Sequence, residues 1–146
     1  MQQQRRKGSS CMPVDVTASI AAWLALAEAD VRIAQLVMEA PDASAEMYGL
    51  ACFHAQQAAE KGLKALLTKR GVAFPRTHDN AYLLAALEES TSPELQDASA
   101  LLAEYGVGPR YPGVAAGRSQ AEAQEALAAC SAVFAWLRSR LPAAEE

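Results

Sequence analysis

Between Tyr48 and Leu67 the chain reads YGLACFHAQQAAEKGLKALL, and wound at about 100° per residue this run separates into two faces. Tyr48, Ala51, Ala55, Ala58, Ala59, Leu63 and Leu66 share one broad apolar arc, whereas His54, Gln57, Lys61 and Lys64 form a narrow polar stripe. A helix that only filled a core would not need that stripe. The pattern therefore predicts one element facing two environments.

The same periodicity, read with capping and breaking residues, predicts five helices. The first begins between Val14 and Thr17 with Asp15 or Thr17 as N-cap, uses Trp23, Leu26, Ile33 and Leu36 as apolar anchors, and stops before Pro41. The second is capped by Asp42 or Ser44, runs to about Arg70 and ends at Gly71. Pro75 pushes Phe74 toward extended backbone, after which Thr77 or Asp79 caps a third helix through Leu87. Ser92 caps a fourth with Pro93 at its first position, lasting to about Tyr105 and closed by Gly106 and Gly108. The last lies within Ser119 to Leu141, where Leu127, Cys130, Phe134 and Leu137 are spaced for burial. Two helices of more than 20 residues and no run suited to a sheet predict an all-α fold, an antiparallel up-and-down bundle of four to five helices. The bundle is assigned to residues 14–142, with residues 1–13 expected as a disordered leader and 143–146 as a disordered tail.

Composition narrows the classes. At 146 residues the chain has the size of one domain, and its 51% hydrophobic content with few aromatics favours helix. A net charge of −4 argues against a generally basic nucleic-acid-binding surface, while leaving room for a local basic site. Cys11, Cys52 and Cys130 show no CxxC spacing, so reduced thiols in a cytoplasmic protein are expected, with Cys52 and Cys130 packing as small apolar groups. No run reaches the roughly 20 apolar residues of a membrane span.

Three places carry candidate chemistry. His54, Gln57 and Lys61 project from neighbouring turns toward one groove, or else Lys61 and Lys64 form a solvated face beside a hydrogen-bonded His54; Glu60 and Lys64 are spaced for a surface ion pair. Thr77 and His78 stand at a helix start where free amides favour an anion, unless Thr77 and Asp79 satisfy those amides themselves. Arg110 and Tyr111 lie between helix breakers, offering a guanidinium for phosphate or carboxylate beside a ring for stacking; alternatively Arg110 pairs with an acid and Tyr111 plugs the bundle end. No metal, cofactor or catalytic residue is assigned, since HExxH spacing, a serine elbow and a thiol signature are all missing from the sequence.

FHAQQAAEKGLKALL at 53–67, RTHDN at 76–80 and RYPG at 110–113 resemble, in order and spacing, three segments of the HEPN family, the higher eukaryote and prokaryote nucleotide-binding proteins. The resemblance spans residues 17–141 and implies a helical bundle that homodimerises and associates with nucleotides, RNA or a separately encoded nucleotidyltransferase. Many members are metal-independent ribonucleases built on an arginine followed four to six residues later by a histidine. No histidine follows any arginine at that spacing here: seven residues separate Arg70 from His78, and one separates Arg76 from it. The expected function is thus a non-catalytic domain that binds a nucleotide or RNA, or partners a small nucleotidyltransferase in a two-component, toxin–antitoxin-like system. Its expected contacts are His54, Gln57, Lys61, Lys64, Thr77, His78, Arg110 and Tyr111. A divergent ribonuclease using His54 or His78, and a purely structural homo-oligomer, are the alternatives.

Overall fold

The computed structural model describes residues 16–106 and 117–141, which form five helices: α1 (Val16–Glu39), α2 (Ala45–Lys69), α3 (Asn80–Ala86), α4 (Pro93–Ala103) and α5 (Gln120–Arg138). Among the described residues there is no strand. The expected helical bundle is present, and its element ends follow from capping chemistry. Ser44, Asp79, Ser92 and Ser119 each accept a backbone N–H from the first turn they precede, and Ser119 with Glu122 completes a reciprocal capping box. Beyond α2 the chain turns at Gly71 with φ +68°, a backbone region open to glycine without cost. Because α1 starts at Val16, Thr17 lies inside the helix rather than capping it. Asp15, the leader at 1–13 and the tail at 143–146 lie outside the described residues.

The α1–α2 hairpin is the most extensive helix pairing, and α2 is the central element, packing on every other helix. Fully buried Ala27 and Ala34 of α1 and Ala51, Ala55, Ala58 and Ala59 of α2 keep the buried faces of the two helices small. The apolar arc expected on α2 is buried apart from Tyr48, which is half-buried. The short α3 and α4 return the chain to the beginning of α2: Arg118 N–H donates to Ala45 C=O at 2.9 Å, and at the other end Lys69 Nζ donates to Arg140 C=O at 2.7 Å. α5 therefore runs alongside α2 in the same direction, with α1 antiparallel to both. Glu89 ties the far ends together by pairing with Arg70 and Arg140, each at 2.7 Å.

One expectation fails on α1. Of its four proposed anchors only Trp23 packs against the core; Leu26, Ile33 and Leu36 are 53%, 43% and 48% exposed. The buried centre of the inward face of α1 belongs to Ala27, Asp30 and Ala34, flanked by Ile20, Trp23, Leu24, Val31, Val37 and Met38, which pack against the core. Residue size misled the reading, because a close helix pair selects alanine over leucine at its contact.

α5 reaches α2 through Gly62, where an added Cβ would meet Leu137 Cδ1 at 2.7 Å and Phe134 Cζ at 3.2 Å. Leu137 is 1% exposed, so a larger residue at position 62 must displace the end of its side chain. Gly62→Val should lower unfolding free energy by about 2 kcal/mol through overpacking, read as a lower urea midpoint at unchanged slope. A loss below about 0.5 kcal/mol would mean that α5 is free to move away from α2.

Candidate functional site

The polar stripe of α2 is organised by two carboxylates. Asp30, brought inward by α1, lies with Oδ1 2.8 Å from His54 Nδ1 and takes a second hydrogen bond at Oδ2 from Lys61 Nζ. Its side chain is 9% exposed, against 23% for His54 and 19% for Lys61. Burial pushes the Asp30 carboxyl up, but the bonds from His54 and Lys61 outweigh it and hold the group below its ordinary value. An ionised carboxylate has no proton to give, so Nδ1 of His54 is the donor and Nε2 is the ring nitrogen that Asp30 does not engage.

Glu60 is the second centre. Its Oε1 accepts from Lys64 Nζ at 2.7 Å, and its Oε2 accepts from Gln56 Nε2 at 2.8 Å and Gln57 Nε2 at 3.2 Å, with His78 Nδ1 at 3.0 Å. Burial again raises the acid, and Lys64, Gln56 and His78 together bring it below its ordinary value. Lys64 threads its charge between Trp23 and Phe74, with Nζ 5.7 Å from each ring centre. The Glu60–Lys64 pair expected at the surface is therefore present but buried, with the two residues 3% and 8% exposed. The reason is that Trp23, from α1, and Phe74, after α2, close over a face that sequence spacing alone leaves open.

The start of α3 is joined to this centre by fully buried amides. Gln56 Nε2 also reaches His78 C=O at 3.0 Å and Asn80 Oδ1 at 3.1 Å, and Asn80 Nδ2 returns a bond to Gln56 C=O at 3.3 Å. Three acceptors crowd the two hydrogens of one amide, so one bond is shared. Thr77 Oγ1 accepts the Asp79 N–H, and Asp79 accepts the Tyr82 N–H. The amides that an anion was expected to use are thus partly taken, and α3 is only seven residues long.

The expected site residues consequently fall into separate groups. His54 and Lys61 meet on Asp30; Gln57, Lys64 and His78 meet on Glu60; and Thr77 serves the turn before α3. Arg110 and Tyr111 lie outside the described residues. The flanks of their segment are placed: Gly106 packs on His78, where an added Cβ would sit 3.0 Å from His78 Cβ, and the chain resumes at Gly117 beside Ala45. Arg118 lies 5.0 Å from the centre of the Tyr105 ring. The sequence reading missed Asp30, Gln56 and Asn80. Asp30 had a legible signal, since it falls on the same helical arc as Trp23, Ala27 and Ala34, where a charge demands partners.

Burial pushes the thiols of Cys52 and Cys130 up to about 11 and about 12, so both stay protonated and unreactive at neutral pH. Among the described residues no three His, Cys, Asp or Glu side chains gather as a metal-ligand group, and no helix is long and apolar enough to cross a membrane.

Removing one member of the buried pair strands the other. Glu60→Ala should cost about 3 kcal/mol in guanidinium unfolding, whereas Glu60→Gln combined with Lys64→Met should recover most of that loss. A double variant as unstable as the single one would show that the pair is not the source of the cost. Because the folded-state acids of Asp30 and Glu60 are depressed, their contribution is complete above the ordinary carboxylate range. It is lost as pH falls below about 4, through their folded values. The acid limb of a stability–pH profile should flatten in Asp30→Asn; an unchanged limb would contradict the assignment.

Against known proteins, the HEPN domain family model matches residues 20–140. The crystal structure of TT1696 from Thermus thermophilus is 34% identical, with a TM-score of 0.70 over 84% of this chain and 98% of that one. ST0689, an archaeal HEPN homologue, is 24% identical, with a TM-score of 0.66 over 82% of this chain and 95% of its own, and is alike in fold. No curated protein matches the chain. With the family's domain spanning nearly all of α1 to α5, this chain belongs to the HEPN family.

Proposed function

We propose that this chain is a non-catalytic HEPN domain protein that acts by binding, as the partner of a small nucleotidyltransferase in a two-component, toxin–antitoxin-like system or as a receptor for a nucleotide or RNA. The observation that carries this reading is the internal neutralisation of the stripe. Lys61 is committed to Asp30 and Lys64 to Glu60, and both histidines bring Nδ1 to the same carboxylates. Such a cluster holds a surface in a fixed shape and leaves its own ammonium groups poorly placed to grip a phosphate. That favours recognition of a protein partner by the stripe, with Arg110 as the residue suited to phosphate where a nucleotide or RNA is the ligand. The absence from the sequence of the family's arginine–histidine spacing agrees with a binding role.

A ribonuclease reading rests on one specific observation. Asp30 holds the His54 ring through Nδ1, which leaves Nε2 as the nitrogen that could take or give a proton.

Calorimetric titration with ATP, GTP and a short RNA, alongside co-purification with a nucleotidyltransferase, separates the ligands. Arg110→Ala is expected to weaken nucleotide or RNA binding about tenfold, equivalent to about 1.4 kcal/mol, without changing the unfolding midpoint. No titration signal, together with partner capture that is absent or insensitive to the stripe variant Lys61→Glu, would sink the binding reading. RNA cleavage by the wild type that disappears in His54→Ala would replace it with the enzyme.

A further inference from the structure

α5 carries a track of apolar residues that α1 covers only in part. Leu127, Cys130, Phe134, Leu137 and Leu141 recur at intervals of three and four residues, the period of one helix face. Cys130, Leu137 and Leu141 are buried, but Leu127 and Phe134 are only half-buried, as are Leu24 and Val31 on α1. The cause is the arrangement of the helices: α1 and α5 both pack on α2 and touch each other far less than either touches it. Between them runs a hollow of about 820 Å³, lined by these residues and open to solvent along one side. Its volume lies within the roughly 300–1,000 Å³ of small-molecule sites, which often form between the helices of bundles. From Leu127 to Leu137 the track is about 15 Å long.

The polar residues on the rim tell the two ends apart. α1 contributes Glu28, Arg32 and Gln35, and α5 contributes Ser131 and Arg138. Because α1 and α5 run in opposite directions, Arg32 and Arg138 stand toward opposite ends of the hollow. Arg32 is answered within its own helix, by Glu39 at 3.5 Å and by Glu28 one turn earlier. Arg138 is not: among the described residues it has no ion pair or hydrogen bond, and Phe134 and Ala135 occupy the turn before it. An apolar run with one unanswered cation at its end is complementary to a linear apolar chain with one terminal anion. The paired donors of a guanidinium fit the two oxygens of a carboxylate. A docked helix would instead meet charges along both rims, and the α5 rim carries only the one at its end.

We propose that the α1–α5 hollow is a binding site for a linear alkyl carboxylate, a fatty-acid-like amphiphile whose head pairs with Arg138 and whose chain lies along Phe134, Val31 and Leu127. The site is separate from the Asp30 and Glu60 clusters and does not rest on the partner or nucleotide reading. Occupancy joins α1 to α5 across the one interhelical gap that α2 does not fill, so the bound chain should unfold at higher temperature.

The test is calorimetric titration of the full chain with octanoate, decanoate and dodecanoate, each below its micelle-forming concentration. Affinity should rise about twofold per added methylene, short of the roughly fourfold of complete burial because one side of the hollow is open. Arg138→Gln should weaken dodecanoate about tenfold and Arg138→Lys much less, whereas Glu28→Gln, which removes a like charge, should tighten it. Dodecylammonium, with the same chain and the opposite head, should bind about tenfold more weakly than dodecanoate. Ser131→Trp, which fills the hollow, should abolish uptake; if that variant fails to fold, Arg138→Gln decides alone. No heat from dodecanoate, an affinity indifferent to chain length, or an ammonium bound as tightly as the carboxylate overturns the site. A folded Ser131→Trp chain whose sedimentation differs from that of the ligand-free wild type would identify a second copy as the occupant, and overturns it too.

Discussion

A carboxylate withdrawn from water has to be surrounded by donors, and the burial of Glu60 in the middle of α2 sets that requirement at the centre of this molecule. Desolvating such an ion costs several kcal/mol even after relaxation, and the cost is offset only where several hydrogen bonds converge. Lys64 and Gln56 come from the same helix, but His78 comes from the connection to α3, and Lys64 can stay buried only because Trp23 and Phe74 enclose it. Meeting the demand of one charge thus fixes α1, α2 and the entry to α3 relative to one another. Asp30 repeats the arrangement between α1 and α2, with His54 and Lys61 as its donors.

The helices were legible because their ends are governed by local chemistry. Ser44, Asp79, Ser92 with Pro93, and Ser119 act within one turn of themselves, so their effect can be read without knowing what lies across the core. The α2 apolar arc was legible for the same reason: its period is a property of the one helix. What escaped were partnerships between elements. The stripe of His54, Gln57, Lys61 and Lys64 was visible, yet its division between two acids depends on Asp30 arriving from a residue 24 positions earlier and on the α3 entry folding back onto Glu60. A Glu–Lys pair four residues apart reads as a surface feature until two aromatic rings from elsewhere cover it.

This arrangement bears on how family membership should be translated into activity. The fold places two histidines beside two acids, a combination that in isolation invites an acid–base mechanism. Yet the geometry also commits two lysines and two glutamines to the same acids, and a carboxylate with that many donors stays ionised and immobile. His54 and His78 differ in this setting. His54 is largely enclosed, with Phe53 edge-on at 5.5 Å between ring centres, while His78 is 49% exposed and packs under Gly106, where the segment holding Arg110 begins.

The two faces of α1 follow from one requirement. For Asp30 to reach both His54 and Lys61, α1 must present it toward α2, and the fully buried Ala27 and Ala34 flank it on that face with small side chains. Leucine at those positions would spread the helices, leaving Asp30 buried without its donors, an uncompensated charge worth several kcal/mol. The polar site therefore dictates small residues inside the hairpin. The larger residues of α1 divide around this centre: Ile20, Trp23, Leu24, Val31, Val37 and Met38 pack against the core, whereas Leu26, Ile33 and Leu36 stand exposed. Leu26, Ile33 and Leu36 thus lie on the arc of α1 that neither the Asp30 cluster nor the core uses.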